Sequence, residues 1–296
     1  MSVIYSAAPT AFRKDLSIDV ESFRRMLLAN LAAGVKGFFL CGNMGEWSQL
    51  RLADREALTE CAMATAGGQA EILAGCTANS LQETLLTMKT LARYAPDAYV
   101  VMNPLPATSQ YCPMDYLLHF LDAADRPVYY YYCPPVTAFR MGVEDFRHLV
   151  AHPNLKGIKN SAGDIGIRKE LLKLKKEYDF RLFEGHEWGI DDALMAGCDG
   201  ALCGLAGLAA KPMTRLAAAV DAGNYAEAKQ WQLKLLELYH GIYGIDTSTV
   251  QNGHKYALWR RGIFDCWYCR NSGPEQLSEI RRREIEICVA QFDALL

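Results

Sequence analysis

Lys159 is the residue of this sequence with the clearest capacity for chemistry. It lies near the end of the run LKGIKN, where the preceding apolar residues are typical of a buried β-strand. Burial disfavours an ammonium ion, so it would lower the lysine pKa and leave a neutral amine that can attack a carbonyl. The alternative is a structural ion pair between the ammonium and a carboxylate at the rim of the fold. The position alone leaves both interpretations open.

Two further segments carry groups that could assist such an amine. Tyr131 lies in PVYYYYCPP, and a phenol beside a lysine can transfer protons while an imine forms, although consecutive tyrosines equally fit core packing. The segment CGNMGE, Cys41 to Glu46, has two glycines that allow close backbone approach. Its amide groups could bind a carboxylate, although such glycines also occur in plain turns.

The elements that must position these residues form a repeating pattern. Short β-rich runs alternate with amphipathic helical stretches, which predicts a parallel (β/α)₈ TIM barrel. The eight predicted strands are Val3 to Ala8, Gly37 to Cys41, Ala70 to Ala74, Ala98 to Asn103, Val128 to Tyr132, Leu155 to Lys159, Arg181 to Glu184 and Gly200 to Cys203. Only helical patterns follow, so we expect the barrel over residues 1–222 and a helical C-terminal extension over residues 223–296. Lys159 and Tyr131 then fall at the C-terminal ends of strands, where barrel enzymes place their chemistry.

Composition excludes several classes of partner. Lys and Arg total 31 against 34 Asp and Glu, without a basic run, which argues against nucleic acid. The first residues lack a signal-peptide pattern, and the longest apolar runs are about half of a membrane span, so we expect a cytoplasmic protein without membrane contact. The ten cysteines are scattered and are expected to be reduced thiols. Cys266 and Cys269 have metal-site spacing but no second pair, so no metal site is predicted.

Taken together, the chemical segments resemble the family of dihydrodipicolinate synthase and N-acetylneuraminate lyase, the pyruvate-dependent class I aldolases. The family's GxxGE loop appears as Gly42 to Glu46, its Y-x-x-P as Tyr131 to Pro134 and its G-[IV]-K as Gly157 to Lys159. The resemblance implies that Lys159 forms an imine (Schiff base) with a pyruvate-like 2-oxo acid, that Tyr131 shuttles protons and that the loop amides hold the carboxylate. It also implies a homotetramer built as a dimer of dimers, and no metal or organic cofactor because the protonated imine is the electron sink.

The sequence departs from the family pattern at four places. Asn43 and Met44 replace two hydroxyl residues of the loop, and Pro106 replaces a second tyrosine of the proton relay, with Tyr111 nearby. Dihydrodipicolinate synthases carry an arginine shortly after Y-x-x-P, whereas this chain has Pro135, Val136 and Thr137. Without that guanidinium to bind a second carboxylate, we expect the protein not to be a dihydrodipicolinate synthase.

Other residues near the C-terminal ends of the predicted strands indicate the class of substrate. Ser161 falls where sugar-acid lyases of the family present a hydroxyl, and the loop EGHEWG offers Glu187 and Trp188, which could alternatively just open the next helix. Cys203 ends the last strand. With Gly42, Asn43 and Met44, these four complete the predicted substrate-binding set.

The leading functional hypothesis is a lyase, a class I aldolase that cleaves a 2-keto-3-deoxy sugar acid or a related hydroxy-2-oxo acid into pyruvate and an aldehyde. A second hypothesis keeps the imine at Lys159 but ends in loss of water or ammonia, as in a dehydratase or deaminase. A third is a paralogue that binds an oxo acid without turning it over, which the changes at Asn43, Met44 and Pro106 motivate.

Overall fold

The computed structural model describes residues 1–104, 112–271 and 277–296. Eight parallel strands pair in sequence order, and the last pairs with the first to close a barrel. The prediction of a TIM barrel is confirmed, and the observed strand ends differ from the predicted ones by at most two residues. The strands are β1 Val3–Ala7, β2 Gly37–Leu40, β3 Glu71–Gly75, β4 Ala98–Val101, β5 Val128–Tyr132, β6 Leu155–Asn160, β7 Arg181–Glu184 and β8 Gly200–Cys203.

Helices surround the barrel and follow the strands. They are α1 Val20–Ala32, α2 Leu52–Ala66, α3 Leu81–Leu91, α4 Pro113–Ala123, α5 Pro134–Thr137, α6 Val143–Val150, α7 Ile165–Leu174, α8 Ile190–Met195 and α9 Ala206–Asp221. Several begin where a short polar side chain accepts a hydrogen bond from a free amide of the first turn, as Asp19 does for α1 and Asp164 for α7. Helix α9 begins shortly after β8 and is kinked at Ala209 ahead of Pro212.

Three more helices form the C-terminal part of the chain: α10 Tyr225–Tyr243, α11 Val250–Arg260 and α12 Glu279–Phe292. They pack on one another, and α10 also packs along α9. The division into a barrel up to residue 222 and an extension beyond it stays a proposal. None of the helices in the described part of the chain is both long enough and apolar enough to cross a membrane.

The side chains of strand β5 point alternately into the barrel interior and towards the surrounding helices. Tyr129 and Tyr131 face the interior with Phe39, Phe183 and other apolar side chains, whereas Tyr130 and Tyr132 pack against the surrounding helices. This alternation follows from the two-residue period of a strand. Across the β5–β6 pair Tyr131 is opposite Lys159, so one register brings the two predicted catalytic residues together.

The N-terminal end of the barrel is filled by a polar cluster around Glu71. Its carboxylate accepts hydrogen bonds from the hydroxyls of Tyr5 and Tyr129 and from the guanidinium of Arg181. These groups come from β1, β5 and β7 and meet at the bottom of the interior. The space available for chemistry therefore lies at the opposite end, where Lys159 is located.

Candidate active site

Lys159 lies in the interior near the C-terminal end of β6 and is 5% exposed. Its Nζ is 4.1 Å from the centroid of the Tyr131 ring and 5.4 Å from that of Phe39. Burial lowers the pKa of Lys159, while the nearby thiols of Cys203 and Cys133 and the carboxyl of Glu187 oppose that shift. Among the described residues its amine forms no ion pair, in contrast to the structural alternative considered from the sequence. The geometry thus favours a neutral, reactive amine.

Tyr131 is held by the loop that follows β2. Asn43 donates from Nδ2 to the phenol oxygen at 3.2 Å, and Trp47 donates from Nε1 to Asn43 Oδ1 at 3.1 Å. The indole contact fixes which end of the amide faces Tyr131, because the oxygen is already engaged. Asn43 therefore takes the place of the missing loop hydroxyl as a partner of the phenol, but only as a donor. Burial raises the pKa of Tyr131.

The loop itself has the form expected of an anion site. Cys41 and Glu46, at its two ends, have φ values of 56°, a strained conformation for residues with a side chain. Within the described residues, the backbone N–H groups of Asn43 and Met44 donate to no other group. Gly42 packs so closely that a Cβ there would lie 2.7 Å from the Phe39 ring. Free backbone amides of this kind can bind a carboxylate.

The remaining predicted residues fall into two groups. Ser161, Cys203 and Glu187 are buried, and the last two influence the Lys159 pKa directly. Glu187 accepts from the Leu205 amide at 3.0 Å, and burial raises its pKa. The Cys203 thiol donates to the carbonyl of Glu184 at 3.6 Å, so it lines the interior from β8.

The described contacts of Met44 and Trp188 are with residues other than Lys159. Met44 packs over Gly204, where a Cβ would lie 2.5 Å from its Cγ. Trp188 is about half exposed and stacks on His186 at 4.1 Å. It lines a pocket of about 250 Å³ between α7 and α8, with Asn160, Arg168, Glu184 and His186 among the other walls. Pro106 and Tyr111 lie outside the described residues.

Gly185 is a functional position that the sequence analysis missed. A Cβ at this residue would lie 2.0 Å from Ser161 Oγ and 3.1 Å from Lys159 Cε. Because Gly185 has no side chain, space remains beside it for the aliphatic part of the Lys159 side chain. In the sequence only the first glycine of EGHEWG marks this position, and a single glycine carries little information.

Replacing Gly185 by alanine is expected to reduce activity strongly while leaving the barrel folded, because the added methyl must displace Lys159 or Ser161. Misplacement by about 1 Å can lower a rate by roughly 100-fold. Steady-state kinetics and circular dichroism check this. Gly142→Ala is the control, since a Cβ there meets only Asp145 Oδ2 at 3.7 Å. Equal activities of both variants would contradict the assigned role of Gly185.

Glu46, the last residue of the loop, is anchored by the C-terminal extension. Its carboxylate pairs with the ammonium of Lys255 on α11 and accepts from the Arg270 amide at 2.8 Å. Both side chains of the pair are almost completely buried, and Lys255 Nζ also lies 4.2 Å from the Phe12 ring centroid. In addition, Gln251 donates to the Asn43 carbonyl at 2.8 Å. No local sequence pattern indicates these long-range contacts, which fix the loop against α11.

Removing one partner of the Glu46–Lys255 pair is expected to destabilise the protein. Lys255→Met leaves the Glu46 carboxylate buried without its cation and should lower the free energy of unfolding by about 3–5 kcal/mol. Urea denaturation measures the change. Arg24→Met, which breaks an exposed ion pair with Glu21, is the control and should change stability little because solvent screens that pair. A Lys255→Met variant as stable as the control would contradict the anchoring role.

Comparison with known proteins identifies the family. The Dihydrodipicolinate synthetase family matches residues 1–286. The chain belongs to this family. The resemblance proposed from the sequence is confirmed, and so is its consequence that the protein is an enzyme of the class I aldolase and lyase type.

Individual relatives agree with the family assignment. The chain is 26% identical over 244 residues to 4-hydroxy-tetrahydrodipicolinate synthase of Methanospirillum hungatei, covering 81% of this chain and 83% of the relative. It is 24% identical over 294 residues to N-acetylneuraminate lyase 2 of Escherichia coli O6:H1, covering 96% and 91%. A prophage protein of the dihydrodipicolinic acid synthase family from Escherichia coli K12, in complex with pyruvate, has a TM-score of 0.90 at 23% identity, with coverage of 100% and 99%.

These relatives correct the functional hypotheses drawn from the sequence. Several curated relatives are named 4-hydroxy-tetrahydrodipicolinate synthase, so the expectation of a sugar-acid aldolase that is not a dihydrodipicolinate synthase was wrong. The error came from treating one missing arginine after Tyr131 as the absence of any usable guanidinium. Arg168 of α7 lines the pocket next to β6, so a guanidinium is present there on another element.

Proposed function

We propose that the protein forms an imine between Lys159 and pyruvate and adds the resulting enamine to an aldehyde, as a 4-hydroxy-tetrahydrodipicolinate synthase. The observation that carries this proposal is the burial of an amine without a salt-bridge partner at 4.1 Å from the Tyr131 ring. Lowering the pKa by burial increases the fraction of neutral amine at neutral pH. Such an amine forms a carbinolamine with the ketone of pyruvate, and loss of water then gives the iminium ion.

The remaining groups fit the steps that follow. The free amides of Asn43 and Met44 are suited to the pyruvyl carboxylate, and Tyr131 is suited to move protons at the carbinolamine oxygen and the methyl carbon. Loss of a methyl proton converts the iminium into an enamine, whose terminal carbon attacks the aldehyde. The protonated imine accepts the electron pair, so the reaction needs no further cofactor.

The name of the product class indicates the second substrate. A tetrahydrodipicolinate is a cyclic amine with two carboxylates, so the aldehyde partner of pyruvate must itself carry an amino group and a carboxylate. The amino group can then displace Lys159 from the imine carbon and close the ring. Supporting this proposal, Arg168 is 8% exposed, pairs with Glu184 at 3.1 Å and leaves its Nε without a described partner. The acidic Asp164 and Asp192 line the same pocket and suit an ammonium group.

Product analysis tests the proposed reaction. The protein is incubated with pyruvate and either an α-amino-acid semialdehyde or the matched hydroxy-acid aldehyde, and the products are identified by mass spectrometry. The proposal expects a cyclic condensation product only with the amino aldehyde. Condensation of pyruvate with amino-free aldehydes alone would overturn it. A cytoplasmic location and a homotetramer remain predictions, the second of which sedimentation velocity can check.

A further inference from the structure

Gln232, on α10, is a buried residue whose side-chain amide binds the segment between β7 and α8. Its Oε1 accepts hydrogen bonds from the backbone amides of Ile190 at 3.0 Å and Asp191 at 3.2 Å. Its Nε2 donates to the Glu187 carbonyl at 2.7 Å. Helix α8 begins after Gly189, which has no side chain to cap it. Gln232 therefore caps α8 from a different helix and uses both ends of its amide.

The segment that Gln232 holds forms one wall of the pocket proposed for the second substrate. His186, Trp188 and Asp192 line this pocket, which has a volume of about 250 Å³. The three backbone groups bound by Gln232 lie within residues 187–191, between His186 and Asp192. The place of these side chains at the pocket thus depends on a contact from α10.

The part of the same loop that faces Lys159 is held by other contacts. The Gly185 amide donates to the Asn160 carbonyl at 2.9 Å, which continues the pairing of β7 with β6. Gly185 is the residue that leaves space for the Lys159 side chain. Loss of the Gln232 contacts should therefore disturb the second-substrate pocket while Lys159 keeps its position.

Gln251, the second residue of α11, holds the loop on the opposite side of the site. Its Nε2 donates to the Asn43 carbonyl at 2.8 Å, and the Asn43 side chain donates to the Tyr131 oxygen at 3.2 Å. The same carbonyl accepts from the Glu46 amide at 3.1 Å, so the loop closes its own turn and Gln251 ties that turn to α11. The position of the phenol therefore depends on α11 through Asn43.

We propose that the C-terminal helices α10 and α11 position the two sides of the active site separately. Gln232 positions the wall of the second-substrate pocket, and Gln251 positions Asn43 and Tyr131 for proton transfer at the pyruvate imine. Both glutamines act through other residues, so they are positioning residues. The inference rests on the proposed function and specifies which contact outside the strands governs each of its two steps.

Two measurements separate the two roles. Exchange of the pyruvate methyl protons with D₂O, followed by NMR, reports enamine formation without the second substrate. The KM for an α-amino-acid semialdehyde in the condensation reports the second-substrate pocket. Both are measured for the wild type, Gln232→Met and Gln251→Met, because methionine has a similar length but no amide. Gln230→Met is the matched control, since Gln230 is exposed on the same helix as Gln232.

We expect Gln232→Met to raise the KM for the semialdehyde about 10-fold and to leave methyl exchange within about twofold of the wild type, the scale of one or two lost hydrogen bonds. Gln251→Met should instead slow methyl exchange about 10-fold and leave that KM unchanged. This loss is smaller than the roughly 100-fold effect of a 1 Å misplacement, because the pair of Glu46 with Lys255 still holds the loop. Gln230→Met should match the wild type in both measurements.

Equal changes of exchange and KM in both variants would show that the glutamines only stabilise the fold and would overturn the inference, as would unchanged values in either variant. Circular dichroism verifies folding. If Gln232→Met does not fold, Gln232→Glu replaces it and should also raise the KM, because a carboxylate keeps the acceptor but loses the donor. A wild type that exchanges no methyl protons, or that does not condense pyruvate with the semialdehyde, overturns the proposed function and the inference with it.

Discussion

Replacing Lys159 by methionine is expected to lower turnover and pyruvate methyl exchange by at least about 10⁴-fold, the scale on which loss of a covalent nucleophile acts. Methionine fills a similar volume beside Phe39 and Tyr131 but has no amine to form the imine. Stability should not fall, because removing an amine from a buried site relieves its desolvation.

Lys156→Met provides the matched control for this prediction. Lys156 lies on the same strand, but it is exposed and pairs with Asp179 at 3.5 Å. Its replacement should leave both rates unchanged. A Lys159→Met variant that retained methyl exchange would show that another group forms the enamine.

The pH dependence of the wild-type exchange rate follows from the same geometry. Burial lowers the pKa of Lys159, so the neutral amine becomes the major form at a pH below the usual range of a lysine. The exchange rate should thus rise with pH through this lowered pKa and then level off. His186 should add no inflection near neutral pH, since burial lowers its pKa to about 4 and it is already neutral there.

Tyr131→Phe is expected to have the second largest effect, a loss of about 10²–10⁴-fold in turnover. The substitution keeps the ring that contacts Lys159 and Phe39 and removes only the hydroxyl that Asn43 contacts. Both methyl exchange and condensation should slow, because each requires proton transfer at the substrate. Stopped-flow and steady-state assays measure the two rates.

Tyr132→Phe is the control for the tyrosine prediction. Tyr132 is the next residue of β5, but its side chain faces the helices and its hydroxyl accepts from the Met141 amide at 3.1 Å. Loss of that hydrogen bond should affect stability more than rate. If Tyr131→Phe and Tyr132→Phe reduced turnover equally, the phenol of Tyr131 would have no specific role in proton transfer.

The barrel could be predicted from the sequence because each β-rich run of the sequence ends close to the end of the corresponding strand in the structure. Alternation then sets the facing of β5, and the register of β5 with β6 sets Tyr131 opposite Lys159. Local patterns of this kind depend on residues near one another in the chain. The meeting of these two side chains could therefore be predicted with the family motifs as a guide.

The contacts that complete the site come from distant segments, which local patterns do not encode. Lys255 reaches Glu46 across 209 positions of sequence, and Gln251 reaches Asn43 across 208. Gly185 matters through the space it leaves beside Lys159, and such a space exists only after the strands have paired. The substrate hypothesis failed for a related reason, because the position of one arginine in the sequence did not determine which guanidinium lies near the mouth.

Reduction of the protein with borohydride in saturating pyruvate, followed by peptide mass mapping, tests the central claim most directly. We predict one pyruvate-derived adduct, on Lys159. The exposed Lys156 and the buried Lys255, whose ammonium is paired with Glu46, should remain unmodified. An unmodified Lys159 under these conditions, or an adduct on Lys255 instead, would contradict the account.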